Sequence, residues 1–107
     1  MTEYVMVESR HPFTDPGDGA FVRDAVALAE AGHRVRLCLV QDGVLGAAAR
    51  TEGITDALRA GVRIQADAYS LRRHALRAAD LAADVEVHDM GGLAELLLAD
   101  DTRVVWH

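Results

Sequence analysis

The chain has 107 residues and a mass of 11.5 kDa, which suits one domain around a single hydrophobic core, and we expect one domain over residues 1–107. Half of the residues are apolar but only 5% are aromatic, so the core is expected from Val, Leu, Ile and Ala, as in chains that alternate strands with helices. A net charge of -6 and a pI of about 5.2 exclude a general nucleic-acid binder, and the lone Cys38 excludes an intramolecular disulfide or a multi-thiolate metal site and fits a reducing compartment.

The first residues, Met-Thr-Glu-Tyr-Val-Met-Val-Glu, carry acidic side chains around a short apolar run. They read as a buried first strand, Tyr4 to Val7, ending near Glu8, and not as a signal peptide. No apolar run approaches the roughly 20 residues that cross a bilayer, so no membrane partner is expected and the expected location is the cytoplasm. His11-Pro-Phe-Thr-Asp-Pro-Gly-Asp-Gly19 holds both prolines and forms the longest irregular loop. Its turn Asp15-Pro-Gly-Asp-Gly19 lacks the Lys and Ser or Thr of a phosphate loop, and its carboxylates would repel phosphate.

A helix is expected from about Ala20 to Ala31, with Asp18 as its cap, Phe21, Val22, Ala25 and Val26 on its apolar face, and Gly32 closing it. His33 to Val40 begins alternating and ends solidly apolar, as a central strand covered on both faces does. Gln41-Asp42-Gly43 turns the chain, Val44 to Arg50 reads as helical, and a second short helix is capped by Thr51 and closed by Gly61. Val62 to Ala66 is the third strand. Ser70 is the expected cap of a helix running through Leu71, Ala75 and Leu76, with Arg72, Arg73, His74 and Arg77 on its solvent side. Val85 to His88 is a fourth strand, Gly91-Gly92 leads a leucine-rich helix, and Thr102 to Trp106 closes the series as a fifth strand.

This β-α repetition with short connections argues for a parallel sheet with helices on both faces. Such a sheet gathers Glu8 to His11, Gln41 and Asp42, Asp67 to Ser70, and His88 to Met90 along one carboxyl edge, and leaves His33 at the opposite one. His11, Asp67 and His88 would then supply an oxygen and nitrogen ligand set, with Asp42 or Asp89 behind them, although their spacing matches no metal motif. Cys38, between Leu37 and Leu39, reads as a packing residue whose thiolate is disfavoured. Trp106 is either core or an exposed anchor for another subunit.

The chain resembles the DsrE-like family, which includes sulfur-relay subunits of tRNA thiolation and of dissimilatory sulfur oxidation. The resemblance spans nearly the whole sequence. It rests on the helix ending in Ala-Gly-His33, the strand Val35 to Val40 followed by Gln-Asp-Gly-Val44, and above all Ala-Gly-Val-Arg-Ile-Gln-Ala-Asp-Ala-Tyr-Ser-Leu71. It implies a three-layer α/β/α sandwich with a five-stranded, mostly parallel sheet, assembled as a homotrimer, a homohexamer or a hetero-oligomer with other DsrE-like subunits. It also implies a persulfide-accepting cysteine after the third strand, where this chain has Asp67. A carboxylate cannot carry sulfane sulfur, because that chemistry needs a thiolate that attacks and is attacked in turn. The family's Arg-Gly after the serine and leucine is replaced by His74-Ala75, which is expected to let the helix run on.

The expectation is therefore a DsrE-like subunit without sulfurtransferase activity, without a cofactor or resident metal, which forms an oligomer or binds a partner. Its candidate contact residues are His11, Asp42, Asp67, Tyr69, Ser70, Arg73, His74 and His88. The alternative is a small-ligand or metal-binding enzyme using Asp67, His11 and His88 on the same scaffold.

Overall fold

The computed structural model describes residues 2–12, 19–49 and 51–107. Strands β1 (Glu3–Glu8), β2 (Arg34–Leu39), β3 (Arg63–Asp67), β4 (Glu86–His88) and β5 (Thr102–Trp106) form a sheet in the order β4-β3-β2-β1-β5, and every pairing in it is parallel. Helices α1 (Ala20–Glu30), α2 (Glu52–Arg59), α3 (Ala68–Arg73) and α4 (Met90–Leu98) make the crossovers, with 3-10 segments at Gln41–Ala47 and Ala78–Asp80.

The strand order explains the layers. From β1 to β4 the chain steps in one direction, so right-handed crossovers put α1, α2 and α3 on one face. The step from β4 to β5 goes back past β1, and the same handedness puts α4 on the other face. Alternation along the strands serves both layers. Met6, Leu37, Leu39, Ile64 and Ala66 pack with Phe21, Val22, Ile54, Ala57 and Leu71. Val5, Val7, Cys38 and Val40 meet Leu93, Leu96 and Leu97 of α4. Beside α4, that second face carries a polar ladder in which Arg36 Nε donates to Glu3 Oε1 at 2.8 Å and Arg36 donates to Gln65 Oε1 at 3.3 Å.

Three helices end in the same way. The N–H of His33 donates to the Leu28 carbonyl, that of Val62 to Ala57 and that of Leu76 to Leu71, each across a residue with positive φ. Two of those residues are the expected glycines, Gly32 and Gly61, and the third is Ala75 at φ 55°. Helix α3 therefore stops at Arg73 and does not run on through Ala75, because Leu76 turns back to pack on the core beside it.

Other boundaries also differ from expectation. The cap of α3 is Asp67, whose side chain accepts the Ser70 N–H, so Ser70 lies inside the first turn. The same device recurs at α4, where Asp89 accepts the Gly92 N–H, so that helix begins at Met90 and not at the Gly91-Gly92 pair. The segment after β2 is a tight 3-10 coil that begins at Gln41 itself. Gly43 is required there, since a Cβ on it would collide with the Glu8 carbonyl oxygen. Strand β4 starts at Glu86, and Thr51 precedes α2 without a side-chain capping bond. Arg50 and residues 13–18, which include Asp18 and all of the Asp15–Gly19 turn except Gly19, lie outside the described residues; Gly19 is the N-cap of α1.

Candidate functional site

The connection after β3 leads to α3 on one face and the connection after β4 leads to α4 on the other. Neighbouring strands whose connections diverge in this way leave a crevice between their carboxyl ends. The two residues at its lip are Asp67 and His88, which are register partners.

Asp67 is held by the turn it creates. Its backbone is still extended, so the carboxyl group folds back over the first turn of α3. Oδ2 accepts the Ser70 N–H at 2.9 Å and the Ser70 hydroxyl at 2.6 Å. Ser70 Oγ in turn accepts the Gln41 N–H at 2.8 Å, tying the end of β2 to the end of β3. Asp67 is 7% exposed and its second oxygen, Oδ1, has no hydrogen-bond partner among the described residues.

In front of Asp67 opens a cavity of about 570 Å3. Six of the predicted contact residues line it, namely Asp42, Asp67, Tyr69, Ser70, Arg73 and His74, joined by Met90 and Trp106. Asp42 Oδ1 and His74 Nε2 meet at 3.0 Å across its rim. Arg73 is exposed and forms no ion pair within 4.0 Å among the described residues. Tyr69 and Trp106 are both more than half exposed, which places Trp106 on the surface and not in the core.

Two predicted residues fall elsewhere. His88 borders a separate void of about 10 Å3 together with Cys38, Gln65 and Asp67. His11 lines neither space. Among the described residues no three His, Cys, Asp or Glu side chains assemble as a metal cage, so the ligand set of His11, Asp67 and His88 is not formed. His11 follows β1 and is separated from β3 by β2, which explains the failure of the carboxyl-edge argument here. The basic run is also broken up: Arg77 lies past the end of α3 and pairs with Asp80 at 3.5 Å, while Arg72 and Arg73 stay on the helix. His33 sits at the opposite edge with its ring against Tyr4.

Burial pushes the Cys38 thiol up to about 12, against a smaller opposing pull from Arg36. The Arg63 hydrogen bond holds the Glu86 carboxyl below its ordinary value. At Asp80, the backbone N–H of Arg77 does the same.

One pair escaped the sequence reading. Glu8 is fully buried, and both of its oxygens meet His107 Nδ1, at 3.0 and 2.8 Å. Arg10 N–H donates to Oε1 at 2.9 Å, and the His107 ring stacks on Phe21. The available signal was the period of β1, which puts Glu8 on the same face as Met6 and therefore demands a partner for its charge.

No family model matches this chain, and no curated protein does. Solved structures match its fold. The YchN protein from E. coli superposes with a TM-score of 0.86 at 19% identity over 100% of both chains. MTH1491 from Methanobacterium thermoautotrophicum, described as of unknown function, gives 0.79 at 16% identity over 100% of both chains. BT1422 from Bacteroides thetaiotaomicron, also of unknown function, gives 0.72 at 19% identity, covering 97% of this chain and 94% of its own. At these identities the likeness is one of fold alone.

Proposed function

We propose that this protein is a DsrE-like subunit that carries no sulfur itself: it forms an oligomer or binds a partner in sulfur metabolism, and the ledge around Asp67 is its docking site. The observation that supports this reading most is Asp67 at the position matching the family's persulfide cysteine, built into the cap of α3 with one oxygen left over for a visitor. The chain's single thiol is no substitute, because Cys38 is 2% exposed in the middle of the sheet and holds its proton far above neutral pH.

Exposed apolar side chains favour a docking role. Edge strand β5 presents Val104, Val105 and Trp106, and α4 presents Met90 and Leu98. Exposed apolar groups on a strand with one unpaired edge are a feature that proteins normally cover.

Two measurements test the reading. Intact-protein mass after incubation with a polysulfide donor should be unchanged, and a gain of one sulfur atom on Cys38 would overturn it. Size exclusion with light scattering should show a stable oligomer at micromolar concentration, and a monodisperse monomer would count against the subunit role.

A further inference from the structure

Two spaces meet at Asp67. One is the open ledge cavity of about 570 Å3, and the other is the void of about 10 Å3 that Asp67 also lines. Only Val40, Asp67 and Met90 line both, so these three residues form the wall between them. Val40 is buried and Asp67 is fixed through Oδ2 to Ser70. Met90 is 52% exposed at the first position of α4, where the capping is done by Asp89 and Gly92. An unbranched thioether chain changes rotamer at little cost, so Met90 is the movable part of the wall.

Asp67 Oδ1 lacks a hydrogen-bond donor among the described residues. Its satisfaction calls for an N–H or O–H group, and a cationic donor gives the stronger bond. Across the same cavity Arg73 offers a cation, while Tyr69 and Trp106 offer exposed aromatic surface. A buried acceptor, a guanidinium and exposed aromatic rings lining one cavity match a molecule with an ammonium group, an apolar body and a carboxylate. The cavity volume falls within the roughly 300–1,000 Å3 usual for small-ligand sites.

We infer that the ledge binds a small amphipathic aminocarboxylate, with its ammonium passing Met90 to reach Asp67 Oδ1, its carboxylate toward Arg73 and its apolar body against Trp106 and Tyr69. This rests on the reading of the ledge as a docking site and names the chemistry of the occupant.

Trp106 is the chain's one tryptophan, so its fluorescence reports occupancy of the ledge directly. The full-length protein is titrated with L-phenylalanine, with 3-phenylpropionate, which lacks the amine, and with 2-phenylethylamine, which lacks the carboxylate. L-phenylalanine should give a saturable change, and each analogue should bind about tenfold more weakly, the size of one charge-assisted hydrogen bond. Asp67→Asn should weaken L-phenylalanine by about tenfold and leave 3-phenylpropionate unchanged, and Arg73→Gln should spare only 2-phenylethylamine. Equal affinity for the three compounds, indifference to Asp67→Asn, or no saturable response to any of them overturns the inference. The comparison on the unaltered protein decides the matter if Asp67→Asn fails to fold. Those failures leave the sulfur-free subunit reading standing, whereas a persulfide adduct would sink that reading, and a monomer would count against it, without altering the titration.

Discussion

Ser70 Oγ donates to Asp67 Oδ2 at 2.6 Å and at the same time accepts the Gln41 N–H at 2.8 Å, so one hydroxyl joins the carboxyl ends of two neighbouring strands. Gln41 sits there with φ 51°, a conformation that only its surroundings maintain. Asp67 and Ser70 are both buried, whereas Gln41 at the other end of the link is exposed. Ser70→Ala should therefore cost about 1–3 kcal/mol, because an N–H and a carboxyl oxygen each lose a buried partner. Urea unfolding measures it, and a loss within a few tenths of a kcal/mol would show that this linkage contributes little.

Glu8 and His107 make an asymmetric pair, one side fully buried and the other about one-third exposed. Removing the imidazole strands a buried carboxyl group, whereas Glu8→Gln keeps the shape and an acceptor for Arg10 N–H. His107→Ala should cost about 3 kcal/mol and Glu8→Gln nearer about 1 kcal/mol. The reverse order in denaturant midpoints would mean that the pair is held by packing on Phe21 and not by charge.

Cys38 sets an alkaline limit. Its folded pKa of about 12 lies above the ordinary 9.0, so the folded chain keeps a proton that the unfolded chain releases. Stability from this group is intact below pH 9 and falls as pH rises toward 12, by about 1.4 kcal/mol per pH unit. The chain has no lysine, so only the two tyrosines share that window among side chains of similar pKa. Cys38→Ala should flatten the pH dependence between 9 and 12 relative to the parent protein, read from unfolding midpoints at each pH. Equal slopes would show that the thiol is not desolvated. At neutral pH, alkylation of Cys38 should proceed only as fast as the chain opens.

Ala75 closes α3 in the left-handed region, where a Cβ costs about 1 kcal/mol that glycine avoids. Ala75→Gly should accordingly raise stability by up to about 1 kcal/mol, or a few degrees in Tm for a chain of this length, after allowing for the greater freedom of glycine when unfolded. A lower Tm would mean that the methyl group makes a contact worth more than the strain.

The sequence carried the strands and crossovers because their signals are local. Tyr4 to Val7 and Val35 to Val40 are apolar runs, and Gly32 and Gly61 are the residues that a left-handed helix end favours. Helix starts are ambiguous in the sequence for a physical reason. Ser70 and Asp67 both qualify as caps by composition, and the choice depends on where the strand stops, which β2 and β4 decide by pairing with β3. The early end of α3 is hidden from the sequence because Ala75 takes a left-handed conformation that alanine rarely adopts, where Leu76 packs on the core.

By itself the sequence determined a parallel α/β architecture, the burial of Cys38 and the gathering of strand ends at one edge, because apolar periodicity and the handedness of crossovers are properties of the chain. It could not determine which strand ends are neighbours. The order β4-β3-β2-β1-β5 places Asp67 beside His88, sends α3 and α4 to opposite faces and leaves His11 two strands away from β3. Those are contacts between residues far apart in the chain, decided by which packing buries apolar surface while pairing most of the polar groups it covers. Asp67 Oδ1, a buried side-chain oxygen without a hydrogen-bond partner among the described residues, emerges only at that level.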